Sequence, residues 1–117
     1  MEKIDIREII KWHEQTFPDA TLEDQLRKFD EEYGEWKESQ TMQEIADMFI
    51  VACGVARFDG YEAMHCFWKT ERSLSFCKRH GFAGIFPVIV AQKMEKNRKR
   101  VWAKQQDGTY HHTNTEE

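Results

Sequence analysis

Glu32 and Glu35 stand three residues apart, and so do Glu44 and Asp47. On a helix that spacing turns both acids of a pair roughly the same way. A turn at Ser39-Gln40 between the pairs would fold one helix back on the other, bringing four hard oxygen ligands toward one point. Mg²⁺ takes such a set, binding a few carboxylates together with waters and substrate phosphates. Asp47 also stands directly before a wholly apolar stretch, where an unpaired carboxylate is costly. Each acid has an ordinary explanation too. Exposed acids on helices are common, and Glu44 is placed to be the N3 partner of a Thr41 cap.

A second cluster has the opposite charge. Lys93, Asn97 and Arg100 follow at i, i+4 and i+7 and share one helix face. That face borders the apolar positions Phe86, Val90, Met94 and Val101, so it can look into a cleft and hold phosphate oxygens. Taken alone it also fits a solvated basic face near a helix C-terminus, or a nucleic-acid patch extended by Lys96, Arg98, Lys99 and Lys104. Acids on one pair of helices and cations on another fit a nucleoside triphosphate, whose phosphates a metal and the cations would share.

Helices must position these groups. Helical spacing dominates, and strand-like alternation is scarce. The expected elements are a first helix from Ile4 to about Gln15, a second opened by Thr21, and a third from Thr41 to about Arg57. A fourth is expected from Tyr61 to about His80, stopped by Gly81, and a last from Pro87 at N1 to about Ala103. The run Met48 to Ala56 is apolar on every side, which implies a central position or a subunit interface. The fold class expected is all-α, an antiparallel bundle of four to five helices in one domain, residues 1–104. Residues 105–117 are expected to form a polar, flexible tail that includes His111 and His112.

With 117 residues, 40% hydrophobic and 13% aromatic, the chain is a globular domain of modest core. A net charge of −4 argues against wholesale nucleic-acid or membrane binding. No apolar run approaches the roughly 18 residues of a membrane span. Met1 to Asp5 is charged, unlike a signal peptide, and the three cysteines read as reduced thiols. A cytoplasmic location is therefore expected. Cys77-x-x-His80 with His65 and Cys66 is only half a zinc site. There is no Walker motif, no Gly-rich dinucleotide loop and no Ca²⁺ loop.

In order and spacing these motifs resemble the MazG-like, all-α nucleoside triphosphate pyrophosphohydrolases: Glu32 and Glu35, then Glu44 and Asp47, then Lys93, Asn97 and Arg100. The run Gln25 to Glu32 resembles the family's Lys-x-x-Glu-Glu approach to the first pair, and Trp12 to Pro18 its N-terminal helix. The likeness covers residues 12–56 and 86–102. It implies hydrolysis of NTP or dNTP to the monophosphate and pyrophosphate, with Mg²⁺ (or Mn²⁺ as substitute) on Glu32, Glu35, Glu44 and Asp47. It implies Glu35 as the group that positions or deprotonates water, and Lys28, Lys93, Asn97 and Arg100 as phosphate binders. Trp12, His13 and Trp102 become base-pocket candidates, and a homodimer or homotetramer is expected. The chain departs from the family in a shorter gap between the acidic pairs and in a longer segment, 59–84. Two rivals are a non-catalytic interaction or nucleic-acid-binding module using residues 93–104, and phosphoribosyl-ATP pyrophosphohydrolase.

Overall fold

Three of the described helices begin where a short polar side chain takes up a free backbone N–H. A computed structural model describes residues 5–60, 82–106 and 108–112. Asp5 caps α1 (Ile6–Thr16), accepting from the N–H of Arg7 at 3.0 Å and of Glu8 at 3.4 Å. Thr21 caps α2 (Leu22–Ser39) through the Asp24 N–H at 3.1 Å, and Thr41 caps α3 (Met42–Asp59) through the Glu44 N–H at 3.2 Å. Between α2 and α3 the chain reverses at Gln40, which adopts the left-handed conformation at φ 52° and returns its N–H to the Trp36 carbonyl at 2.7 Å.

α3 is the centre of the fold. Its sequence is apolar on every side, and α1, α2 and α4 (Phe82–Lys99) all pack on it. Ile45, Met48, Phe49 and Cys53 are buried, Trp36 packs on them from α2, and Phe49 meets Phe86 edge-on at 5.3 Å. Each such side chain contributes roughly 1.5–3 kcal/mol by leaving water. Of the two expectations for this helix, central position or subunit interface, the first holds within the chain.

Three boundaries differ from the expected ones. α1 starts at Ile6 because Asp5 is its cap. α4 starts five residues before Pro87, which therefore lies inside the helix and removes one i→i−4 bond. At its other end α4 stops at Lys99 instead of running to Ala103. The expected last turn and the first part of the expected tail form an antiparallel hairpin instead, β1 (Trp102–Lys104) with β2 (Tyr110–His112), pairing Trp102 with His112 and Lys104 with Tyr110. Gly108, at φ 92°, supplies the positive φ this turn needs. The described architecture is thus mostly helical, four helices and a small two-stranded sheet, rather than purely α. The helix expected over residues 61–80, and the half zinc site of His65, Cys66, Cys77 and His80, lie outside the described residues. No helix among the described residues is long and apolar enough to cross a membrane.

Candidate active site

A cavity of about 280 Å³ opens between α1, α2, α3, α4 and the hairpin. Its acidic end takes Glu32 and Glu35 from α2 and Asp47 from α3. The helix period and the tight Gln40 reversal do this: one turn of α2 faces one turn of α3 across the bend. Glu32, Glu35 and Glu44 can each bring one carboxylate oxygen within 4.8 Å of the others. Asp47, the fourth acid of the expected set, faces Lys93 of α4 instead, Oδ2 to Nζ at 3.3 Å.

Burial and like charge disfavour the ionised form of three of these acids. Burial pushes the Glu32 carboxyl up to about 7, helped by Asp47 and Glu35 and opposed by Lys28. Burial also raises Asp47, against the pull of Lys93. Glu44 rises through burial and the neighbouring Asp47 and Glu35. Glu44 Oε2 is buried and accepts no hydrogen bond from any described residue. The Glu44 backbone N–H serves the Thr41 cap, while its carboxylate stands with Glu32 and Glu35. An all-oxygen donor set, an orphaned buried oxygen and carboxyls driven toward neutrality are what a divalent cation would relieve. The residues present therefore fit such an ion.

The cations line the same cavity. Lys28 pairs with Glu32 at 3.4 Å and Glu31 at 3.5 Å. Arg100 donates to Asn97 Oδ1 at 3.1 Å, and the Asn97 carbonyl receives the Trp102 indole N–H at 3.1 Å. All four expected phosphate binders, Lys28, Lys93, Asn97 and Arg100, line the cavity together with Glu32, Glu35 and Asp47.

The other end is aromatic. Trp12 and Trp102 meet at 6.2 Å with planes 68° apart, and Phe17 packs on Trp102 at 5.2 Å and on Tyr110 at 4.5 Å. The three expected pocket residues, Trp12, His13 and Trp102, all line this end. His13 is buried, with Nε2 at 2.9 Å from Gln25 Oε1 and Nδ1 at 3.1 Å from an Arg57 nitrogen. Burial, then Arg57, holds its ring down at about 4 despite the Gln25 bond.

Sequence reasoning missed Gln25, Phe17, Tyr110, His111 and His112, all of which line the cavity. The last three arrive on the hairpin, which Lys104 and Tyr110 tie to Asp19 and His111 to Glu31. Asp107-Gly108, a turn dipeptide between aromatic residues, was the sequence signal for that hairpin. Gln25 sits one helical turn before Lys28 and carried no signal of its own.

No protein-family model matches the chain, and no solved structure matches it. Among curated proteins it is similar to one named dATP/dGTP diphosphohydrolase, from Salmonella phage PMBT28, at 26% identity over 111 residues. The match covers 92% of this chain and 30% of that protein, so the chain spans less than a third of its relative's length.

Proposed function

We propose that this chain is a Mg²⁺-dependent nucleoside triphosphate pyrophosphohydrolase, converting NTP or dNTP and water to the monophosphate and pyrophosphate. One observation carries the reading. A single cavity holds acids and cations at one end and aromatic rings at the other, the layout a nucleotide needs for its phosphates and its base. The name of the phage relative, a dNTP diphosphohydrolase, points to the same class of chemistry.

The acids Glu32, Glu35, Glu44 and Asp47 would hold Mg²⁺, which supplies Lewis acidity and charge neutralisation at the phosphates. Glu35 is the exposed member that still lines the cavity, so it is placed to orient a water and accept its proton. Attack on the α-phosphorus forms the new P–O bond and breaks the bond to the bridging oxygen, which leaves with pyrophosphate. Lys28, Lys93 and Arg100 offset the charge gathering on the phosphate oxygens. Lys93 must exchange part of its contact with Asp47 for phosphate, which links substrate binding to freeing a carboxylate. Trp12 and Trp102 offer ring faces to the base. The family likeness also implies a homodimer or homotetramer, which sedimentation equilibrium measures directly.

The test is pyrophosphate release from a panel of dNTPs and NTPs with Mg²⁺. Turnover of at least one nucleotide, lost in chelator, is the expected result. No turnover of any nucleotide overturns the proposal in favour of a binding module.

A further inference from the structure

The reaction above uses neither Gln25 nor Arg57, yet the two are joined through His13. Arg57 lies 3.1 Å from His13 Nδ1 and also donates to the Phe17 carbonyl at 2.7 Å. A guanidinium only donates, so Nδ1 is the acceptor. A neutral imidazole that accepts at Nδ1 carries its proton on Nε2. That proton points at the Gln25 carboxamide 2.9 Å away, so the atom it meets must be the amide oxygen. The reverse orientation would set N–H against N–H in a buried place. The orientation of Gln25 thus follows from donor and acceptor chemistry, back through His13 to Arg57.

The other end of the amide is an NH₂ with two donors. Gln25 lines the cavity, and its NH₂ donates to no described residue. The pair is also built closely into the fold. At Gly54 of α3 a Cβ would lie 2.6 Å from both Gln25 Oε1 and His13 Nε2. Glycine in a helix interior costs about 1 kcal/mol relative to alanine. Clearance for this pair accounts for its presence there.

Gln25, Lys28 and Glu32 follow at i, i+3 and i+7 on α2, so the amide stands about 10 Å along the helix axis from the acids. Lys28 lies between them. The amide is therefore at the base end of a nucleotide whose phosphates lie at Glu32.

We propose that the Arg57–His13–Gln25 chain sets base selectivity, by presenting the Gln25 amide as a hydrogen-bond donor beside the aromatic rings. It favours bases that offer a carbonyl oxygen there over bases that offer an exocyclic amine. Gln25 makes the contact, and Arg57 is a positioning residue that acts through His13. This rests on the nucleotide reading above. An amine meeting the Gln25 NH₂ leaves donors unsatisfied in a partly desolvated recess, a discrimination of roughly tenfold to a hundredfold.

Hypoxanthine and adenine present a 6-oxo or a 6-amino group on otherwise nearly the same ring. Calorimetric titration with the α,β-imido triphosphates of deoxyinosine and deoxyadenosine, with Mg²⁺, should give at least about tenfold tighter binding of the inosine analogue. Gln25→Met should bring the ratio close to one. Arg57→Ala should also bring it close to one with kcat on dITP little changed, and Arg57→Lys should retain it. Equal affinities in the unaltered protein, tighter adenosine binding, or a ratio unchanged in Gln25→Met overturns the inference. Pyrophosphate release by the same preparation separates the two claims. Release with equal affinities removes the selectivity alone, whereas no release and no binding of either analogue removes both.

Discussion

Glu32→Gln should make the metal-free protein more stable while destroying its activity. Glu32 is 7% exposed, and its carboxyl is pushed from an ordinary 4.5 up to about 7, first by burial and then by Asp47 and Glu35. An acid whose folded pKa exceeds its unfolded one binds more protons in the folded state between the two values. Stability therefore falls as pH rises through that window, from about 4.5 to about 7, and stays reduced above it. At 1.36 kcal/mol per pH unit the full penalty is about 3 kcal/mol. Glutamine keeps the shape and cannot ionise, so it removes that penalty. It also removes the Lys28 partner at 3.4 Å, which gives back part of the gain. A net gain of about 2 kcal/mol corresponds to a rise in Tm of roughly 10 °C for a domain this size. Thermal melts in chelator at pH 8 should show that rise, and at pH 5 the difference should shrink. Adding Mg²⁺ at pH 8 should raise the Tm of the unaltered protein and leave that of the variant nearly fixed. A variant no more stable than the parent at pH 8 in chelator would refute the picture of Glu32 as a carboxyl held against its own ionisation.

Glu35→Gln should lower kcat by about a hundredfold or more, because Glu35 is placed to take the water's proton, while its exposed position leaves the helical circular-dichroism spectrum unchanged. Gly108→Ala should cost about 1–3 kcal/mol in urea unfolding, since φ is 92° and a Cβ there would lie 2.1 Å from Asp24 Oδ1. It should raise KM more than it lowers kcat, because the displaced hairpin carries Trp102 and Tyr110 away from the cavity. His13, lowered from 6.5 to about 4, should stay neutral at pH 5.5, where its Cε1–H resonance in NMR would otherwise report the charged ring. Its unfolded state binds the extra proton, so its contribution to stability is complete above about 6.5 and is lost as pH falls toward 4. A His13 resonance with a midpoint near 6.5 would contradict its burial against Arg57.

The sequence by itself determined the helices that carry the chemistry and the face each presents. Thr21 and Thr41 announce two helix starts, the apolar run from Met48 to Ala56 announces the central helix, and i,i+3 spacing aligns each acidic pair. These are local facts, set by capping chemistry and the 3.6-residue period, and they survive without knowing what packs on what. Only tertiary structure decided the rest. It sent Asp47 to Lys93, forty-six residues away, and left Glu44 Oε2 without a donor among the described residues. It raised Glu32 to about 7, because burial is a property of the assembled helices and not of a neighbouring residue. The end of α4 and the hairpin were misread because the apolar period continues through Val101, which is in fact 61% exposed. Aromatic packing of Trp102 on Phe17 and Trp12 favours the strand over another helical turn. Gln25 was invisible for the same reason. One glutamine on a helix gains a direction only when a histidine, an arginine and a glycine from two other elements close around it.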